Sequence, residues 1–62
     1  MQFHIETMTC GGCARGVTKA IQSVDPTAEV KAFPETRLVE VTTTAPRERL
    51  AAVLADAGFA PA

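Results

Sequence analysis

The sequence has no tryptophan and no tyrosine, and its aromatic content is limited to Phe3, Phe33 and Phe59. No run of basic residues interleaved with aromatics is present on which the bases of a nucleic acid would stack. An excess of one charge is also missing, since six basic side chains stand against seven acidic ones. The chain therefore lacks the global electrostatic footprint of a nucleic-acid binder, while a local charged patch for a protein partner remains allowed. No apolar run is long enough to cross a bilayer, so no membrane insertion is expected. Met1 to Thr7 alternates where a signal peptide would carry a continuous apolar block, and with Met at position 1 the expected residence is the cytoplasm. Length is short as well. The 62 residues are expected to form one domain, residues 1–62. A domain of this size buries only about 60% of the surface its unfolded chain exposes. A thin core fits, but an enclosed pocket of roughly 300 Å³ for an organic substrate does not, and an enzyme is not expected.

What the chain does have is apolar material, 47% of its residues, enough for a packed core and too much for a disordered segment. Gln2 to Glu6 alternates, with Phe3 and Ile5 on one side and His4 and Glu6 on the other, the pattern of a half-buried strand. Thr7 to Gly12 holds two adjacent glycines and reads as a loop. From Cys13 the period changes: Cys13, Val17, Ala20, Ile21 and Val24 share one helix face, with Arg15, Lys19 and Gln22 away from it. Asp25-Pro26 ends that helix, because proline disfavours helical geometry in the residue before it. A second strand from about Ala28 to Phe33 places Val30 and Ala32 on one face. Pro34 to Arg37 is a short turn, and Leu38 to Thr43 is a third strand with Val39 and Val41 inward, so the pair forms an antiparallel hairpin. Pro46 suits the first turn of a second helix, whose stripe is Leu50, Val53, Leu54 and Ala57. Gly58 sits where a helix C-terminal cap is expected. Phe59 to Ala62 is expected to add a short edge strand. The order β-α-β-β-α-β predicts an α+β ferredoxin-like sandwich, with two helices on one face of a four-stranded antiparallel sheet.

The chemistry concentrates in Met8-Thr9-Cys10-Gly11-Gly12-Cys13. Two cysteines three positions apart can aim both sulfurs at one ion when the first lies on a loop and the second opens a helix. Gly11 and Gly12 let the backbone turn tightly between them and leave the sulfurs uncrowded. A helix N-terminus carries roughly half a positive charge and unpaired N–H groups, which favour thiolate over thiol. Soft thiolates select soft ions such as Cu(I), whereas a structural zinc site needs four ligands. Beyond the two sulfurs there is one histidine. His4 lies on the polar side of its strand, where a solvated residue is expected more readily than a ligand. Two thiolates suit an ion of low coordination number, and such an ion leaves room for a partner's thiolate to enter, so that metal passes by ligand exchange.

Met8-Thr9-Cys10-x-x-Cys13, following a strand and opening a helix, resembles the metal-binding loop of the heavy-metal-associated domain. In pattern the chain is most similar to the small bacterial copper chaperones of that family. The likeness covers the strand order, the helix positions, the Val30/Ala32 and Val39/Val41 pairs and Ala57-Gly58-Phe59. It implies that Cys10 and Cys13 are the metal ligands and that Met8 packs beneath the loop, which agrees with the ordinary reading of Met8 as core. It places Phe59 near the metal loop, at a position often Tyr in bacterial chaperones and Lys in eukaryotic ones. There Phe59 either shields the site with an apolar ring or simply fills the core. Thr7 replaces a Gly common before Met, which stiffens the way into the loop. Thr9 stands where many zinc-transporting relatives carry Asp, so the site leans to Cu(I), although mercury-binding relatives also carry Thr. Arg15 and Lys19 read either as a solvated helix face or as a docking patch for an acidic partner surface. The resemblance names that partner as a copper-transporting P-type ATPase, through its own similar N-terminal domain.

Three alternatives stay open. The chain could be a metal-binding domain excised from such an ATPase, or a mercury- or zinc-binding relative. A thiol-disulfide oxidoreductase also uses CxxC at a helix start, but thioredoxin-like folds run to about 100 residues and place an aromatic where Thr9 stands here. The apo protein is expected to be a monomer, and the exposed site permits a copper-bridged homodimer.

Overall fold

The computed structural model describes all 62 residues. Five elements follow in order: β1 (Gln2–His4), α1 (Gly11–Val24), β2 (Glu29–Phe33), β3 (Leu38–Thr42) and α2 (Arg47–Asp56). The strands form one sheet in the order β1-β3-β2, antiparallel at both junctions. β1, α1 and β2 thus make a crossover whose two strands are held apart, and β3 fills the gap between them.

Register explains the core. Phe3 lies opposite Val39, which lies opposite Ala32, and Val41 lies opposite Val30. These side chains share the face on which both helices pack, because strand side chains alternate with a period of two. Val17 and Ile21 of α1 and Leu50 and Leu54 of α2 meet them, and Phe3, Ile5, Met8, Ala28, Val39 and Val41 complete the buried set. No polar side chain is buried, so the core asks for no internal polar network. The edge beside α2 is closed by Arg47. Its guanidinium lies 4.3 Å from the Phe3 ring centroid and donates to the Gln2 carbonyl at 2.7 Å, a cation over an aromatic face.

The expected fourth strand does not form, and the sheet has three strands. Ala62 N–H does donate to the His4 carbonyl at 2.8 Å, so the C-terminal residues run beside β1. Pro61 has no N–H to give to a ladder, and a single bond does not make a strand. Ala57 is a second correction. It is exposed and caps α2 with φ −83° and ψ −1°, one position beyond the helix whose stripe it was expected to continue. Pro46 is likewise the residue before α2 rather than within its first turn.

Gly58 adopts φ +89°, a conformation that glycine reaches without a Cβ penalty. Around it the Gly58 N–H donates to the Ala55 carbonyl at 3.1 Å and the Phe59 N–H to the Leu54 carbonyl at 2.8 Å. This is a Schellman ending, with the apolar residue after the glycine folded back toward the helix. It aims Phe59 at α1. At the other end of the molecule, Asp25 ties the end of α1 to the β3–α2 connection. Its carboxylate accepts from the Thr27 N–H at 3.0 Å and hydroxyl at 2.7 Å, and from the Thr43 hydroxyl at 2.6 Å.

Candidate metal centre

Cys10 is the N-cap of α1. Its backbone is extended, with φ −151° and ψ 172°, and its sulfur accepts the Cys13 N–H at 3.4 Å. A cysteine here does what Ser or Asp does at other helix starts, satisfying one of the open N–H groups of the first turn. That is why α1 begins at Gly11 and not at Cys13. Gly11 and Gly12, expected in a loop, are the first residues of the helix.

The two sulfurs lie 3.2 Å apart, with the Cys10 thiol donating to Cys13 Sγ. Cys10 is exposed and Cys13 half-buried, and both are free thiols. The Cys13 thiol titrates below its ordinary value, first because the Cys10 thiol donates to its sulfur and next because of hydrogen bonding from the Thr9 backbone, with the Thr9 hydroxyl contributing as well. Burial acts in the opposite sense. These hydrogen bonds favour the thiolate form of Cys13 over the thiol.

An ion entering here must open the pair. With metal–sulfur bonds of about 2.3 Å, a linear S–metal–S unit holds its sulfurs about 4.6 Å apart, more than the 3.2 Å observed. A Cβ on Gly11 would meet nothing within 4 Å, so Gly11 is not required by crowding. A Cβ on Gly12 would lie 3.8 Å from Cys10 Sγ and 4.0 Å from an Arg15 guanidinium nitrogen. Of the two glycines, Gly12 is the one that keeps space beside a sulfur.

Around this pair the expected residues fall as follows. Met8 is fully buried in the core, directly before the exposed Thr9 and Cys10. Arg15 and Lys19 are exposed and, with Ala14 and Thr18, line a shallow groove of about 290 Å³ along α1. His4 is not brought to the sulfurs. Its Nε2 lies 3.3 Å from a Glu6 carboxylate oxygen, and no group of three or more His, Cys, Asp or Glu residues converges anywhere on the chain. The arrangement therefore offers two sulfur ligands and no third.

Two contacts were not foreseen from the sequence. The Thr7 hydroxyl donates to the Gly58 carbonyl at 3.1 Å, which ties the segment before the metal loop to the end of α2. The half-buried Phe59 ring lies on Gly16, where an added Cβ would come within 3.1 and 3.3 Å of two ring carbons. Gly16 is three residues after Cys13 and so shares its side of the helix. A glycine inside a helix costs about 1 kcal/mol relative to Ala, and that cost was the available signal that something packs there.

The heavy-metal-associated domain model matches residues 2–60. Among solved structures, a gold-binding protein is 54% identical, with a TM-score of 0.95 over 98% of this chain and 94% of that one. The copper chaperone Atx1 from Synechocystis PCC6803, in a trimeric form carrying a His61Tyr mutation, is 32% identical with a TM-score of 0.96, covering 100% of this chain and 98% of that one. A protein from Agrobacterium tumefaciens is 37% identical with a TM-score of 0.89, covering 100% and 97% respectively. The comparison with curated proteins gives no match. The match to the domain model over nearly the full length, and the agreement with these structures in fold and sequence, establish that the chain belongs to the heavy-metal-associated domain family and is a small metal-binding protein of the copper-chaperone type.

Proposed function

We propose that the chain carries one Cu(I) ion in the cytoplasm between the thiolates of Cys10 and Cys13 and passes it to the metal-binding domain of a copper-transporting P-type ATPase. The observation that carries this reading is the pair of sulfurs 3.2 Å apart at a helix tip, with no third ligand in reach. Two thiolates satisfy a soft monovalent ion and leave a harder ion such as Zn(II) two ligands short. Transfer is ligand exchange: a partner thiolate adds to the two-coordinate ion, one cysteine lets go, and a second partner thiolate completes the handover. The bound ion is cargo and no bond of an organic substrate is made or broken, so the protein is not an enzyme. Arg15 and Lys19 line a groove on the helix that Cys10 caps, and α1 carries no acidic residue. That face suits an acidic partner surface, with complementarity acting mainly on the rate of encounter.

Similarity to the gold-binding protein favours a second cargo, Au(I), which is also soft and two-coordinate. Native mass spectrometry of protein from cells grown with added copper, with added gold and with neither decides between the two. One copper per chain that is absent in the Cys10→Ser variant supports the Cu(I) assignment. Zinc in place of copper defeats it, and gold retained against a copper challenge replaces it. Handover is tested by mixing the copper-loaded protein with a candidate ATPase domain and following copper by mass. The same spectra report whether copper joins two chains.

A further inference from the structure

Arg15 reaches the metal loop as well as lining the docking groove. One of its guanidinium nitrogens and Cys10 Sγ both lie within 4.0 Å of the position a Gly12 Cβ would take. That puts cation and sulfur within about 8 Å of each other, a distance at which opposite charges still interact. Arg15 makes no ion pair and no hydrogen bond to any other side chain. Lys19, the other charged residue of α1, is one turn further from the sulfurs.

The charge of the loaded site gives this cation a task. Two thiols that lose two protons and take up one monovalent ion become a group of net charge −1. The same two thiols with a divalent ion become neutral. A fixed positive charge beside the sulfurs therefore stabilises the first product and not the second. We propose that Arg15 is a specificity-determining residue, whose guanidinium compensates the anionic bis-thiolate complex of a monovalent ion and so biases the site toward monovalent over divalent soft metals. The inference rests on the reading of Cys10 and Cys13 as the ligands. It concerns the intrinsic affinity for the ion and is separate from any steering of a partner.

The test compares Ag(I) with Hg(II), two ions that both accept linear two-sulfur coordination and differ in charge. Affinities are measured by competition against dithiothreitol in 10 mM salt, where the screening length is about 30 Å. Arg15→Gln is expected to weaken Ag(I) binding by about tenfold, within the range that a unit charge at this distance gives between effective dielectric constants of about 20 and 80. Hg(II) binding is expected to change less than twofold. Arg15→Lys should restore most of the Ag(I) affinity, and in 1 M salt, where screening acts within about 3 Å, the Ag(I) difference should shrink toward unity. Arg49→Gln, which removes the same charge from the first turn of α2, should leave both affinities unchanged. Equal losses for Ag(I) and Hg(II), no loss for either, or a loss reproduced by Arg49→Gln overturns the proposal. If Ag(I) binding by the wild type survives Cys10→Ser, the ligand assignment itself falls, an outcome separate from the Arg15 comparison.

Discussion

Replacing Gly16 with Ala separates two opposing effects whose sizes can be worked out in advance. Alanine in a helix interior is favoured over glycine by about 1 kcal/mol, so the substitution would stabilise α1 if nothing lay against residue 16. The Phe59 ring does lie there, and the new Cβ would sit 3.1 and 3.3 Å from two of its carbons. Ordinary carbon contacts fall near 3.5–4.0 Å, so the ring must retreat by about half an ångström. It is not free to do so, because the Phe59 N–H is fixed to the Leu54 carbonyl at 2.8 Å. The Gly58 carbonyl just before it is held by the Thr7 hydroxyl at 3.1 Å. Overpacking of this kind costs about 1–3 kcal/mol, so Gly16→Ala is expected to destabilise the protein by up to about 2 kcal/mol. With the ring removed by Phe59→Ala, the same Gly16→Ala change should stabilise by about 1 kcal/mol. The assay is thermal and urea unfolding followed by far-ultraviolet circular dichroism, suited to a chain without tryptophan or tyrosine. In a domain of this size 1 kcal/mol moves the midpoint by about 4–8 °C. Gly16→Ala stabilising equally in both backgrounds would show that the ring does not rest on the helix.

Further expectations follow from the same structure. Asp25 is held below the usual carboxylate range by the Thr43 hydroxyl first and by Thr27 next. Its contribution to stability is therefore complete above the unfolded carboxylate value of about 3.9 and is lost as pH falls through the lower folded value. Asp25→Asn should flatten the acid limb of a midpoint-against-pH curve, and an unchanged limb would contradict the assignment. Met8→Ala removes a fully buried side chain and should cost about 2–5 kcal/mol in a urea titration, whereas a cost below about 1 kcal/mol would place Met8 outside the core. Cys10→Ser should abolish tight Cu(I) binding while leaving the apo midpoint within a few degrees, because serine is also a good N-cap. A large drop in that midpoint would mean that the cysteine pair is structural.

The sheet and helices were legible where the hydrophobic period was unambiguous. Phe3 and Ile5 alternate, Val39 and Val41 alternate, and Cys13, Val17 and Ile21 recur at helical spacing; in each case burial follows the pattern. The cysteine pair was legible because its chemistry is local: only Gly11 and Gly12 stand between Cys10 and Cys13. What the sequence concealed depends on contacts between distant segments. The seat of Phe59 on Gly16 joins two helices, and the Thr7–Gly58 bond spans most of the chain. The missing fourth strand is a matter of how Pro61 interrupts pairing that local apolar character invites. The helix starts at Gly11 because Cys10 serves as its cap, a role for which cysteine gives no sequence signal.

The central claim is that two sulfurs, and nothing else from this chain, hold a soft monovalent ion. X-ray absorption at the copper edge, recorded on the one-to-one Cu(I) complex without competing thiols, tests it most directly. The expected spectrum contains two sulfur neighbours and no nitrogen or oxygen neighbour. A histidine nitrogen in the first coordination shell, or an identical spectrum from Cys13→Ser, would contradict it.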